Sequence, residues 1–140
     1  MKKEIIKIVF ILVATLSFAA CSNEDDIDEI FTGHSWTLAF FNDQMEKPID
    51  GDYIIIFNGS VFTLTTPSNT TITGNWKADG ETRAFHCSNI KTTGNINNDD
   101  TAKRMRQILQ NATSYAGDAN YLQIIARQGN VNAFMQFHNK

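Results

Sequence analysis

The sequence has few residues of the types that most catalytic and metal sites require. It contains two cysteines, three histidines and two prolines in 140 residues. His34, His86 and His138 are scattered along the chain, and none has an acidic or cysteine partner at the spacing of a metal site. Neither the Gly-x-Ser-x-Gly motif of a serine hydrolase nor a glycine-rich phosphate loop is present. The sequence therefore predicts no enzyme, no catalytic residue, no metal site and no cofactor.

The N-terminus has the features of a bacterial export signal. Lys2, Lys3 and Lys7 form a positive region, and residues 8–20 carry no charge. This apolar run is short for a permanent membrane-spanning helix, which needs about 20 residues. We therefore expect residues 1–20 to be a lipoprotein signal peptide that is removed from the mature protein.

Cys21 follows two small residues, Ala19 and Ala20, and this arrangement resembles the lipobox read by the lipoprotein signal peptidase. The lipobox prefers leucine three residues before the cysteine, where this chain has Phe18. The resemblance implies that Cys21 is lipidated and that its acyl chains hold the protein to a membrane. Two or more chains anchor a protein stably, whereas one chain is marginal. An ordinary cleaved signal peptide and a short uncleaved anchor are the two alternatives.

Residues 21–29 are predicted to form a flexible acidic tether, because they contain five acidic residues and no basic one. Ser22 followed by Glu24, Asp25 and Asp26 resembles the export signal of lipoproteins displayed on the surface of some Gram-negative bacteria. This resemblance implies a lipid-anchored protein of the outer membrane, exposed on the cell surface. The alternative is a plain spacer that holds the domain away from the membrane.

Residues 30–140 are predicted to form a single domain, since the length suits one hydrophobic core. The excess of acidic over basic residues in the expected mature chain lies in residues 24–29, so the domain itself is balanced in charge. A domain with balanced charge lacks the excess of basic residues that binding to nucleic acid phosphates requires. Membrane contact is therefore expected only through the lipid on Cys21.

The domain shows the pattern of short antiparallel strands. Apolar and polar residues alternate over short runs, and Asn58-Gly59 and Asp79-Gly80 are typical of the turns that join two strands. Residues 88–98 are predicted to be a loop with at most a short strand near Ile90. The pattern predicts about seven strands, at residues 31–41, 53–57, 61–64, 71–76, 83–87, 121–126 and 131–137.

One helix is predicted at about residues 99–114. Asn98 or Asp99 is suited to cap its N-terminus, and Gly117 to mark its end. Its apolar residues recur at helical spacing and form one stripe, which must be buried against the sheet. The predicted fold is therefore of the α+β class, mainly antiparallel β, with a strongly bent sheet or partly open barrel and one packed helix. The stripe comprises Ala102, Met105, Ile108, Leu109 and Ala112.

The order of these elements resembles the META domain of small secreted or lipid-anchored bacterial proteins. Residues 31–38 are similar to its opening L-x-G-x-x-W-x-L pattern, and residues 54–57, 74–76, 101–114 and 121–126 follow in the family's order. The chain departs from the family in lacking a Gly-Cys-Asn stretch and in having isoleucine where the helix usually has glutamate. The resemblance implies roles in envelope stress and protein–protein interaction.

A lipocalin-like barrel is the alternative. Gly74-Asn75-Trp76 matches the G-x-W signature of lipocalins, but that signature normally lies on the first strand. A lipocalin also requires eight strands around an open cavity. This alternative implies a binder of small apolar ligands.

Three residues that attract attention as site candidates are expected to belong to the core instead. Trp36 and Trp76 lie on apolar strand faces, where tryptophan is usually buried. Cys87 has no disulfide partner if Cys21 is lipidated, and it is expected to be an inert thiol. The sequence favours a non-enzymatic interaction module of the cell envelope, with an envelope protein or a cell-wall component as its partner.

Overall fold

The computed structural model describes residues 27–128 and 131–139. The expected signal peptide, lipidated Cys21 and export signal at Ser22, Glu24, Asp25 and Asp26 lie outside the described residues. Within the described part no helix has the length and apolar character needed to cross a membrane. The described residues form eight strands and one main helix, α1. The strands are β1 (Ser35–Phe41), β2 (Ile54–Asn58), β3 (Val61–Thr65), β4 (Thr71–Ala78), β5 (Phe85–Thr93), β6 (Ala112–Gly117), β7 (Tyr121–Gln128) and β8 (Val131–Asn139); α1 spans Asp100–Gln110, between β5 and β6.

All eight strands belong to one antiparallel sheet that is nearly closed into a barrel. Strands β1 to β5 pair in chain order, β6 to β8 do the same, and β8 pairs with β1. The remaining seam lies between β5 and β6, where Ala84 and Ser114 form a single antiparallel bridge. Beside it, the amide of Tyr115 donates to the carbonyl oxygen of Arg83 at 3.0 Å. The predicted class, a mainly antiparallel α+β fold with a partly open barrel and one helix, is confirmed.

Large apolar side chains fill the inside of the barrel. Alternate residues of each strand point inward, so cross-strand pairs such as Phe57 with Phe62 and Leu38 with Phe137 share the core. An eight-stranded barrel is just wide enough for side chains to fill it. The largest fully buried side chains are Trp36, Tyr115, Phe31, Phe41, Phe57, Phe62, Phe85, Phe137, Ile55, Leu64, Ile72 and Met105.

Gly74 has a packing role in the Gly74-Asn75-Trp76 segment. It lies opposite Phe62 in the pairing of β3 with β4. A Cβ atom at this position would lie 2.7 Å from an aromatic carbon of Phe62 and 2.9 Å from the carbonyl oxygen of Ser88. Glycine is therefore required because the Phe62 ring occupies the space of a side chain.

Helix α1 covers one end of the barrel and packs against β5, β7 and β8. Its buried face consists of Ala102, Met105, Ile108 and Leu109, four members of the predicted stripe. Asp99 caps the N-terminus as predicted, accepting a hydrogen bond from the amide of Ala102 at 2.9 Å. The aromatic ring of Phe41 lies under the guanidinium of Arg104, which is paired with Asp43.

The helix is shorter than predicted, and this difference adds the eighth strand. Ala112 continues the helical spacing of the stripe, but it is also the first inward-facing residue of β6. Tyr115, five residues beyond the helix end at Gln110, is buried and pairs with Ile124 of β7. Pairing with β7 takes precedence because tertiary contacts override local helical periodicity. The prediction of a helix reaching residue 114 was therefore wrong at its C-terminal end.

The chain also differs from the prediction before β1. Residues 27–31 are helical, and β1 begins at Ser35. Residues 27–29, the last part of the predicted tether, are thus helical. We call residues 27–31 the plug turn, because they occupy the end of the barrel opposite α1.

Candidate binding surface at the plugged end of the barrel

Phe31, the last residue of the plug turn, is inserted into the barrel. It is completely buried. Its ring contacts four aromatic rings supplied by four different strands, which we call the ring cage. The ring centroids lie 5.1 Å from Phe57, 4.9 Å from Trp76, 5.4 Å from Phe85 and 4.9 Å from Tyr115. Such spacings are favourable for aromatic pairs. The plug turn is therefore joined to the core through Phe31, together with the buried side chain of Ile30.

The backbone of the plug turn is held by side chains that follow it along the chain. The C-terminal carbonyl groups of a helix lack partners within the helix. Here three consecutive carbonyl oxygens, those of residues 28–30, each accept a hydrogen bond from a side chain. The donors are Thr32 Oγ1 at 2.7 Å, His34 Nε2 at 2.8 Å and Trp36 Nε1 at 3.0 Å. Residues 32, 34 and 36 thus fix a turn too short to be stable alone.

His34 also connects the plug turn to the last strand. Because its Nε2 donates to a carbonyl oxygen, its Nδ1 is the acceptor, and it receives a hydrogen bond from the side-chain amide of Asn139 at 3.0 Å. The same amide donates to the carbonyl oxygen of Ala119 at 3.1 Å. The plug turn, β8 and the loop between β6 and β7 are therefore held together at this end.

A groove of about 560 Å³ lies on one side of the loop of residues 79–84. His86, at its edge, is exposed, and its Nδ1 donates to the carbonyl oxygen of Ala112 at 3.1 Å across the seam. The lining residues are Ile27, Lys77, Ala78, Asp79, Gly80, Ala84 and His86.

A second, more polar groove of about 360 Å³ includes Arg83 of the same loop. The guanidinium of Arg83 lies over the ring of Tyr115, 5.4 Å from its centroid. Arg83 has a φ of 63°, a conformation that costs energy for residues other than glycine. Glu29 and the loop of residues 117–120 complete the lining, together with Ile30. Both grooves include residues of the plug turn, and together they form the candidate binding surface.

The three residues that the sequence analysis assigned to the core lie as follows. Trp36 is fully buried, whereas Trp76 is partly buried and packs against the core. The indole nitrogen of Trp76 is buried and has no hydrogen-bond partner among the described residues. Cys87 is free and partly buried, and burial raises its pKa to about 12. Its thiol is therefore protonated at neutral pH and is a poor nucleophile.

The histidine, cysteine and acidic side chains of the described residues are dispersed with respect to metal binding. No group of three or more histidine, cysteine or acidic side chains is placed to hold a metal ion among these residues. His86 is exposed, while its neighbour Cys87 packs against the core from the other face of β5. The two side chains cannot share a proton efficiently, since neighbours on a strand point to opposite faces.

The plug turn was missed because the first strand was predicted to begin at Phe31, an aromatic residue of a type common in strands. One sequence signal for the turn exists in Gly33, which has a φ of 79°. Glycine shortly after a helical segment commonly marks its C-terminal end. Thr32 and His34 flank Gly33. Only the structure shows that their side chains donate hydrogen bonds back to the plug turn.

These features define the class: a small up-and-down β-barrel with a helix across one end, an inserted turn at the other, and surface grooves beside that turn. Residues 47–139 match the model described as Domain of unknown function (DUF4847), and the chain belongs to this family. A similar solved structure is the crystal structure of a DUF4847 family protein from Bacteroides vulgatus ATCC 8482 at 1.00 Å resolution. It is 24% identical, with a TM-score of 0.61, over 80% of this chain and 96% of that chain. This likeness concerns the fold alone. No curated protein matches the chain.

Proposed function

We propose that this protein is a non-enzymatic binding module of the cell envelope, held to the outer membrane by a lipid on Cys21. One observation carries the proposal: side chains fill the described barrel, and the grooves lie on its surface at the plugged end. A filled interior next to surface grooves suits the binding of a partner better than it suits chemistry. The roles in envelope maintenance or stress that the META resemblance implies are part of this proposal and stay a prediction.

The expected anchor also places the candidate surface close to the membrane. Cys21 precedes Ile27, the first residue of the plug turn, by six residues. Even a fully extended chain covers only about 3.5 Å per residue, so this stretch reaches about 20 Å. The plugged end therefore lies within roughly 20 Å of the lipid. The partner that fits this geometry is another protein of the outer membrane rather than a distant cell-wall polymer.

A small-ligand binder of lipocalin type is the second candidate. The observation that favours it is the strand count, because eight antiparallel strands in up-and-down order match the barrel that a lipocalin requires. The filled interior argues against a permanently open cavity. A ligand would have to replace part of the present core.

Site-specific photocrosslinking in cells tests the first proposal. A photoreactive residue at Lys77, on the larger groove, is expected to give one adduct of defined size. The matched control is Met45, which is exposed in the loop between β1 and β2 and lies away from both grooves. The same substitution there should give no such adduct. An identical adduct from Met45, or none from any groove position, would contradict the proposed binding surface.

A further inference from the structure

The ring cage can be separated into a fixed part and an inserted part. Phe57, Trp76, Phe85 and Tyr115 belong to β2, β4, β5 and β6, so the sheet holds these four rings in place. Phe31 comes from outside the sheet and is attached by the plug turn. The sheet thus supplies an aromatic pocket that the chain fills with its own ring.

Residues of the plug turn line both grooves. Ile27 lines the larger groove, and Glu29 and Ile30 line the smaller one. The backbone of the turn is fixed by the hydrogen bonds to the carbonyl groups of residues 28–30, and these bonds are separate from the strand pairing of the barrel. Thr32, directly after the turn, forms a parallel bridge with Phe57, and Ile30 is buried in the core. Moving the turn outward therefore breaks the three hydrogen bonds and withdraws Ile30, which opens a path from the grooves to the ring cage without breaking the pairing of the eight strands.

The indole N–H of Trp76 is the second observation that bears on a ligand. It belongs to a wall of the ring cage, is buried, and has no acceptor among the described residues. Buried hydrogen-bond donors in proteins are nearly always paired, and each exception requires an explanation. A ligand that occupies the cage and carries an acceptor atom would supply the missing partner.

We propose that the ring cage is a binding site for a small, neutral, planar aromatic molecule that carries a hydrogen-bond acceptor, and that Phe31 occupies this site when the ligand is absent. The ring of the ligand takes the place of the Phe31 ring between the four walls. The acceptor extends past the edge of the indole, in whose plane the N–H lies, and receives the Trp76 N–H. This site is distinct from the surface grooves, and it depends on neither the lipid anchor nor an envelope partner.

Acetophenone is a suitable probe, because it joins one aromatic ring to one carbonyl acceptor. The chain has two tryptophans, Trp36 and Trp76, and both report on the plug turn. Trp36 donates its indole N–H to the carbonyl oxygen of Ile30, and Trp76 contacts Phe31. In the chain of residues 21–140, labelled with ¹⁵N, acetophenone is expected to shift both indole N–H signals in NMR spectra. A Trp36→Phe variant assigns the two signals.

Phe31→Ala should bind acetophenone at least tenfold more tightly than the unchanged chain, because a ligand then no longer competes with the Phe31 ring. Phe41→Ala is the matched control, since Phe41 is equally buried but lies near α1 and outside the ring cage. It should bind acetophenone no better than the unchanged chain. Phe31→Leu serves if the alanine variant fails to fold, and a smaller tightening is then expected.

Several results would overturn the proposal. One is an unchanged chain whose indole signals do not respond up to the solubility limit of acetophenone, which makes Phe31 a permanent core residue. Another is an equal gain in acetophenone affinity in Phe41→Ala, which would mean that acetophenone fills any cavity made in the core. Ethylbenzene, which has the ring without the acceptor, should bind more weakly, and equal binding would refute the role of Trp76. None of these results bears on the photocrosslinking test of the surface grooves.

Discussion

Replacing Tyr53 by phenylalanine removes a hydroxyl group that donates to both carboxylate oxygens of Asp99, at 2.8 and 2.9 Å. Asp99 in turn caps α1 through the amide of Ala102. Tyr53 is buried, with 6% of its surface exposed, and it precedes β2 directly. This hydroxyl therefore ties the start of the helix to the sheet, and its removal tests how the helix is held on the barrel.

The expected loss is about 1–2 kcal/mol in the free energy of unfolding. Hydrogen bonds to charged groups contribute about 1.5–3 kcal/mol net. The lower part of this range applies because Asp99 is only half-buried, so water replaces part of the lost bond. Asp99→Ala removes the cap as well, which adds about 1 kcal/mol. The double substitution should show a coupling energy of about 1 kcal/mol between the two residues.

The pH dependence provides an independent check of the same bond. Burial, followed by the hydrogen bond to Asp99, raises the pKa of Tyr53 from its ordinary value of 10.0 to about 12. A group whose pKa is raised by folding stabilises the protein fully below its unfolded pKa, and this contribution is lost as the pH rises through the folded pKa. The free energy of unfolding of the unchanged protein should therefore exceed that of Tyr53→Phe by a constant amount below pH 10. This difference should disappear between about pH 10 and 12.

Urea unfolding followed by circular dichroism, at several pH values, measures both effects. Tyr121→Phe is the matched control. Tyr121 is 39% exposed on β7, so removal of its hydroxyl group should change the free energy of unfolding little. The reasoning is refuted if Tyr53→Phe is as stable as the unchanged protein at neutral pH. It is also refuted if the difference between the two proteins is the same at pH 8 and at about pH 12.

Three further changes have definite expected results. Gly74→Ala places a methyl group 2.7 Å from the Phe62 ring and should lower the free energy of unfolding by about 1–3 kcal/mol in urea titrations; an unchanged stability would contradict the packing argument. Cys21→Ser should abolish acylation and move the protein to the soluble fraction, and unchanged membrane fractionation would argue against the anchor. Replacing the acids of residues 24–26 by serine and asparagine should move the protein to the inward-facing leaflet. If protease treatment of whole cells still removes the protein, the proposed export signal is refuted.

Local patterns predicted most of the strands and the start of the helix. The run of residues 53–57 and the following Asn58-Gly59 correspond to β2 and its hairpin with β3, with Gly59 at a φ of 62°. Asp99 was one of two residues expected to cap α1, and it does so. These features depend on neighbours in the chain, through side-chain alternation and backbone conformations that few residues tolerate. Such information is present in the sequence itself.

Other features depend on residues far apart in the chain. Ala112 fits both a helical stripe and an inward strand position, and only its pairing with β7 decides between them. Phe31 fits a strand, yet it is held by rings at positions 57, 76, 85 and 115. No local pattern records these partners. The candidate binding surface was therefore beyond sequence reasoning, since the loops that border it meet only when the barrel closes.

The sequence by itself determined a mainly antiparallel β domain with one capped helix, because alternation and turn residues specify strands locally. It also contains the linear motif from which the lipid anchor on Cys21 is predicted, and such a motif does not depend on the fold. The tertiary structure decided that eight strands nearly close into a barrel, that Phe31 enters the barrel, and that two grooves border the plug turn. The physical reason is that closure and insertion are settled by competition among distant apolar side chains for one interior volume.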